Sequence, residues 1–99
     1  MATAHGPNSL EALLANAARS FAVLSAPMRL HVLSSLCHGE KNVGELLTEV
    51  PTTQPNISQH LTILHRAGFV AKRRNGNQIY YAIADDRIVR ICQLMCEKS

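Results

Sequence analysis

The sequence has no tryptophan and only two Tyr and two Phe in 99 residues. A core built from it must be aliphatic and modest, because the length fills one small domain. No apolar run reaches ten residues, which excludes a membrane-spanning helix. Met1–Asn8 has neither a positive n-region nor an apolar h-region, so no secretory signal is expected. Cysteine is scarce and odd in number, at three. That argues against a closed disulfide framework and suits a reducing, cytoplasmic setting. There is no Ser-His-Asp pattern, glycine-rich phosphate loop or paired carboxylate, so no enzymatic chemistry and no cofactor are expected.

Acidic side chains are missing from Val50 to Ala84. That stretch carries Arg66, Lys72, Arg73 and Arg74 with His60 and His65, and all seven acids lie outside it. The net charge of +3 is therefore unevenly spread. A segregated positive field suits an anionic partner, and nucleic acid is the commonest one.

Asn8-Ser9-Leu10-Glu11 has the form of a capping box. Leu10, Leu13, Leu14, Ala17, Phe21 and Leu24 follow at helical spacing. Ser25-Ala26-Pro27 interrupts them, and a second helix is expected from Pro27 to His38 with Gly39 as its C-terminal cap. Asn42-Val43-Gly44-Glu45 repeats the capping-box form and opens a short helix to Val50. After the turn Pro51-Thr52-Thr53, a fourth helix runs from Gln54 to Ala67-Gly68 with Thr53 as N-cap. The period then changes to alternation in Phe69–Arg74 and Gln78–Ile83, with the Asn-Gly pair of a tight hairpin between them. Asp85 or Asp86 caps a last helix through Ile88, Ile91, Cys92 and Met95. The fold expected is mainly α with a small β-hairpin wing, an α+β chain in the order α-α-α-α-β-β-α. Residues 1–8 are expected to be a disordered tail, and 9–99 a single domain.

Two helices joined by a three-residue turn and followed by a basic hairpin describe a winged helix-turn-helix. The second helix of such a pair fits the major groove of double-stranded DNA. Thr53, Gln54, Asn56, Ser58, Gln59 and Thr62 are the polar residues placed to reach bases or phosphates, while Ile57, Leu61 and Leu64 face the core. Gln and Asn can bond bidentately to adenine. The free amides of Gln54 and Asn56 at the helix start can hold a phosphate. Arg73, Arg74 and Gln78 flank the hairpin tip, within reach of phosphates or a minor groove.

These residues resemble a known family. Ala26-Pro27-Met28-Arg29-Leu30, Gly39–Leu46, Ser58-Gln59-His60-Leu61, Ala67-Gly68-Phe69-Val70, Arg73-Arg74-Asn75-Gly76 and Ile79-Tyr80-Tyr81 look like the ArsR/SmtB repressors of bacteria. The resemblance runs from Phe21 to Cys96. It implies a cytoplasmic homodimer built on the first and last helices, bound to an operator with dyad symmetry and released by a small inducer. Leu10, Leu13, Leu14, Ala17, Ile88, Ile91, Cys92 and Met95 are then the expected dimer surface. An apolar stripe on the last helix would otherwise be exposed on so small a domain.

The inducer sites of the family are not repeated here. The arsenic-type Cys-Val-Cys run is replaced by Asn42-Val43-Gly44-Glu45, and the zinc-type Asp-x-His keeps Asp85 but has Arg87 for the histidine. Cys37, Cys92 and Cys96 remain. A branch of the family that answers persulfides and oxidants is similar in its Val-Gly-Glu-Leu and Ser-Gln-His-Leu runs. By that resemblance its first thiol falls at Ser34, and its second lies about four residues beyond Cys96. If the two helices pack antiparallel, both departures shift the thiol the same way in space. The expected switch is Cys37 with Cys96, or with Cys92, answering reactive sulfur or an oxidant. A soft-metal or metalloid site from Cys37, Cys92 and Cys96 is the alternative, and a constitutive DNA-binding dimer with inert cysteines is the other. The histidines offer no metal pattern: His60 and His65 lie on the expected reading helix, His38 is beside Cys37, and His31 and His5 are apart.

Overall fold

Helix α1 (Leu10–Leu24) starts one residue later than the sequence suggests, because Ser9 rather than Asn8 is its cap. The Ser9 hydroxyl accepts from the Ala12 amide at 3.2 Å, and the Ser9 amide donates to Gly6 at 3.0 Å, closing a turn ahead of the helix. The computed structural model describes residues 6–96; His5, Glu97, Lys98 and most of the expected tail lie outside the described residues.

Pro27 stands in the first turn of α2 (Pro27–Leu36), where its missing amide costs nothing. This helix ends earlier than expected. Cys37 is its C-cap, and His38 and Gly39 form a turn in which Gly39 has a φ of 138°. Two residues of strand follow, β1 (Lys41–Asn42), and then α3 (Val43–Glu49). The expected capping box is formed: the Glu45 amide donates to Asn42 Oδ1 at 2.8 Å, and the Asn42 amide to Glu45 Oε1 at 2.9 Å.

Helix α4 (Gln54–Arg66) ends in a Schellman motif. The Phe69 amide reaches Leu64 and the Gly68 amide reaches His65, both at 3.0 Å, with Gly68 at a φ of 81°. That closure turns the chain directly into β2 (Val70–Asn75), which pairs with β3 (Gln78–Ile83). The hairpin loop is Gly76-Asn77, since Asn75 pairs with Gln78. Gly76 alone takes a positive φ, 64°. This is the type II′ pattern, not the Asn-Gly pattern that would set both residues positive. The wing is wider than a hairpin, because β1 pairs with β3 and gives an antiparallel sheet in the order β1-β3-β2. A two-residue strand carries no alternation of its own, and pairing alone defines it. Helix α5 (Asp86–Met95) is capped by Asp85.

The core is aliphatic, as the composition requires. Val32 and Leu33 of α2, Leu46 of α3 and Ile57, Leu61 and Leu64 of α4 are fully buried around it, and Phe69 is its one aromatic. Each such side chain contributes roughly 1.5–3 kcal/mol of transfer free energy. Among the described residues, one polar residue is buried whole with them. Ser35 is buried, and its hydroxyl donates to Glu49 Oε1 at 3.0 Å while its carbonyl accepts from Lys41 Nζ at 2.8 Å. Lys41 Nζ is also 3.8 Å from Glu49 Oε2. These bonds join α2, β1 and α3, and so fix where α4 and the wing stand. Among the described residues, no helix is long and apolar enough to cross a membrane.

Candidate nucleic-acid interface and thiol pocket

Helix α4 presents two chemically distinct sides. Ile57, Leu61 and Leu64 are fully buried, while Thr53, Gln54, Asn56, Ser58, Gln59 and Thr62 are all exposed. The burial follows the spacing: three apolar residues at i, i+4 and i+7 define one stripe, and the polar residues fall elsewhere. Two of these groups are already engaged. Thr53 Oγ1 accepts from the Asn56 amide at 3.4 Å, so that amide is not free for a phosphate as the sequence suggests. The Thr62 hydroxyl donates to the Ser58 carbonyl at 3.0 Å and keeps only its lone pairs for a partner. Gln54, Asn56, Ser58 and Gln59 make no side-chain hydrogen bond within the described residues.

Gln78 lies beside the hairpin tip, and Arg74 Nε donates to the Gly76 carbonyl at 3.2 Å. Arg73 sits further back and is committed elsewhere. Its Nε and Nη2 donate to Glu40 Oε2 and Oε1 at 2.7 and 2.6 Å, and its guanidinium lies 5.1 Å from the Tyr80 ring centroid. The ion pair holds the Glu40 carboxyl below its ordinary pKa, chiefly through the hydrogen bond, and raises that of Arg73. Glu40 is a residue that sequence reasoning missed. It lies outside the acid-free stretch, and the β1–β3 pairing carries it to the wing.

His60 Nδ1 of α4 and Arg29 Nε of α2 are buried without a hydrogen-bond partner among the described residues. Burial first, and the Arg29 charge second, hold the His60 pKa below the ordinary imidazole value.

The three cysteines line one pocket of about 300 Å³ between α2 and α5, with Ser34, His38, Leu30, Val89 and Gln93. Ser34 shares it with Cys37, so a thiol one turn along the helix opens into the same space. Cys37 enters it from the end of α2 and Cys92 from α5. Burial pushes both thiols up; the proximity of Cys92 opposes this at Cys37, whereas the neighbouring sulfurs of Cys37 and Cys96 add to it at Cys92. Cys37 and Cys92 therefore open into the same space. Among the described residues, no three His, Cys, Asp or Glu side chains converge to hold a metal ion, so the three-thiol alternative has no preformed site. Asp85 is engaged as well: it caps α5 and accepts from Arg87 Nη2 at 2.7 Å.

A cleft of about 360 Å³ separates α1 from α5, with Leu13, Ala17, Phe21, Ile88 and Ile91 in its walls. Leu10, Leu13, Leu14 and Met95 are exposed, and Ala17, Ile91 and Cys92 are half-buried. Ile88 departs from the expected dimer surface. It is 1% exposed and belongs to the protomer's own core. Phe21 at 61% and Leu94 at 74% take its place among exposed apolar side chains, and neither was expected on that surface.

Comparison with known proteins agrees with this architecture. Residues 26–72 match the family model described as "Bacterial regulatory protein, arsR family". The chain is 39% identical over 72 residues to the biofilm growth-associated repressor of Agrobacterium fabrum, covering 73% of this chain and 62% of that one. It thus spans less than two thirds of that repressor's length. It also resembles the crystal structure of Rv0081 from M. tuberculosis, with a TM-score of 0.78, 37% identity and 86% of each chain covered. A homodimeric winged helix-turn-helix DNA-binding domain from Mycobacterium bovis superposes with a TM-score of 0.79 at 31% identity, covering 97% of this chain and 87% of that one.

Proposed function

Because the chain belongs to the ArsR family of bacterial regulatory proteins, we propose that it is a homodimeric, cytoplasmic transcriptional repressor. It binds double-stranded operator DNA with dyad symmetry and leaves it when thiols in the α2–α5 pocket react. The observation that carries the DNA reading is α4: Gln54, Asn56, Ser58 and Gln59 stand exposed on a helix locked from behind by Ile57, Leu61 and Leu64. Beside it, Arg74 and Gln78 at the wing tip supply contacts to the phosphate backbone or minor groove. The exposed apolar side chains of α1 and α5 support a second copy as their cover.

Reactive sulfur or an oxidant is the inducer class that the shared pocket of Cys37 and Cys92 favours. With a persulfide R–S–SH, the Cys37 thiolate attacks the outer sulfur, expels R–S⁻ and becomes Cys37–S–SH. The Cys92 thiolate then attacks the Cys37 sulfur, expels HS⁻ and leaves a Cys37–Cys92 disulfide; both thiol protons go to the expelled anions. Cys96, in the same pocket, is the other thiol within the reading.

The test uses operator DNA selected from a random library. Binding is measured for protein that is reduced, or treated with tetrasulfide, diamide or arsenite, with adducts mapped by peptide mass. Release together with a sulfur link from Cys37 to Cys92 or Cys96 supports the proposal. Release with arsenic retained on these thiols makes the inducer a metalloid. Unaltered binding under every treatment leaves a constitutive DNA-binding dimer, and failure to select any DNA overturns the reading of α4.

A further inference from the structure

The thiol pocket and the wing are joined by a short stretch of chain that ends in an ion pair. Cys37 caps α2, and the turn continues through His38 and Gly39 to Glu40. Glu40 precedes β1, whereas Arg73 lies on β2, and β3 runs between those strands. The two-pronged bond between them, at 2.6 and 2.7 Å, therefore crosses the whole sheet over Tyr80, which pairs with Arg73 in register. A forked pair of this kind fixes direction as well as distance.

The chain is held unequally on the two sides of Glu40. Lys41 is anchored, since its Nζ donates to the Ser35 carbonyl at 2.8 Å and its backbone pairs with Tyr81. On the other side Cys37 lies outside the helix, in a turn that contains a positive-φ glycine. Across the pocket, Cys92 lies inside α5, packed against the core, and its carbonyl accepts from the Cys96 amide at 2.9 Å.

Resting on the reading of Cys37 and Cys92 as the sensor pair, we infer that Glu40 is a positioning residue that couples the state of these thiols to the wing. A disulfide sets its sulfurs about 2.05 Å apart, far closer than two free thiols can approach. Bridge formation draws Cys37 toward the anchored Cys92, and the Cys37–Gly39 turn shifts with it. Glu40 moves with that turn. Its bonds to Arg73 fail once the separations pass roughly 3.2 Å, so a displacement on the order of 1 Å opens the pair. The exposed position helps, since water can replace each partner. The wing then loses its tie to α2, and the geometry that aligns it with α4 relaxes.

The experiment measures the ratio of operator Kd in the bridged and reduced forms, with the bridged fraction read by intact mass. Wild type is compared with Glu40→Gln, Glu40→Asp and Arg73→Lys. For wild type the expected ratio is about tenfold or more, within the usual range of allosteric coupling. Glu40→Gln forms the same bridge, yet its ratio falls below about threefold. Arg73→Lys falls with it, because lysine keeps the charge without the fork. Glu40→Asp keeps a carboxylate and retains part of the ratio. A merely structural role for Glu40 would weaken both forms alike and leave the ratio intact. Full bridging with wild-type ratios in Glu40→Gln and Arg73→Lys overturns the Glu40 link and leaves the thiol reading standing. A wild type that forms no bridge, or binds operator equally when bridged, overturns the thiol reading and this inference with it.

Discussion

Cys37, at the end of α2, and Cys92, on α5, line one pocket and shift each other's titration in opposite directions. Burial raises the pKa of both thiols, while the proximity of Cys92 lowers that of Cys37 and the proximity of Cys37 raises that of Cys92. Alkylation should label Cys37 before Cys92. Its rate should climb about tenfold per pH unit from pH 7 to 8.5, because the thiolate is the nucleophile and stays a minor species there. Cys92→Ala removes the polar neighbour and should slow Cys37 labelling, whereas Cys92→Ser keeps a polar O–H there and should hold it near the wild-type rate. Faster labelling of Cys37 in Cys92→Ala would show that Cys92 does not tune the thiol in this way.

His60 gives the protein a pH-dependent stability. Its folded pKa lies below the ordinary value, from burial first and the Arg29 charge second. The folded state therefore prefers the neutral ring. Above the unfolded pKa of about 6.5 nothing is lost, and as the pH falls below it the unfolded chain takes a proton that the folded one resists. Thermal midpoints at pH 7.5 and 5.5 should differ more for wild type than for His60→Gln. Equal differences in the two proteins would remove His60 as the cause.

What the sequence reveals is what neighbouring residues decide among themselves. Thr53 as cap, the Ala67-Gly68 stop and the Ile57, Leu61 and Leu64 stripe are local, and each appears where the spacing puts it. The hidden features depend on chain brought from elsewhere. β1 exists only because β3 lies beside it, and Glu40 reaches Arg73 across 33 residues of sequence. Periodicity marks Ile88, Ile91, Cys92 and Met95 as one apolar stripe on α5, but it cannot say which neighbour covers each. The fold buries Ile88 and leaves Met95 open. For the thiols, spacing puts Cys92 and Cys96 on one face, whereas the contact with Cys37 depends on how α5 crosses α2.

Ile88 and the outer residues of α5 should consequently separate in their mutational effects. Ile88 is fully buried, so Ile88→Ala should cost about 2–5 kcal/mol through lost transfer energy and the cavity left behind. Leu94 and Met95 are 74% and 79% exposed and contribute little to the protomer's own core. Leu94→Ser with Met95→Ser should instead weaken self-association. Sedimentation at several concentrations reads the second effect, and chemical denaturation at high protein concentration reads the first. A double variant that stays dimeric at the lowest concentrations would move the interface away from this end of α5.

The reading helix and the wing should fail in different ways. Gln54 and Asn56 project from the first turn of α4 with no side-chain hydrogen bond holding them back. Replacing either with Ala should cost about 1–3 kcal/mol at one base pair and relax preference there, the mark of a direct base contact. Arg74 at the wing tip has a different expected role. Arg74→Ala should weaken binding to every sequence alike and lower the salt slope by about one, as the loss of one phosphate contact does. Arg73→Ala adds a second effect, because it strips the Glu40 carboxylate of its partner and leaves a negative charge on the wing. Its affinity should therefore fall further than that of Arg74→Ala. Fluorescence anisotropy across a salt series, with matched and base-substituted operators, resolves all four variants. If Gln54→Ala and Asn56→Ala lose affinity uniformly and Arg74→Ala loses it at one base pair only, the roles of helix and wing are exchanged.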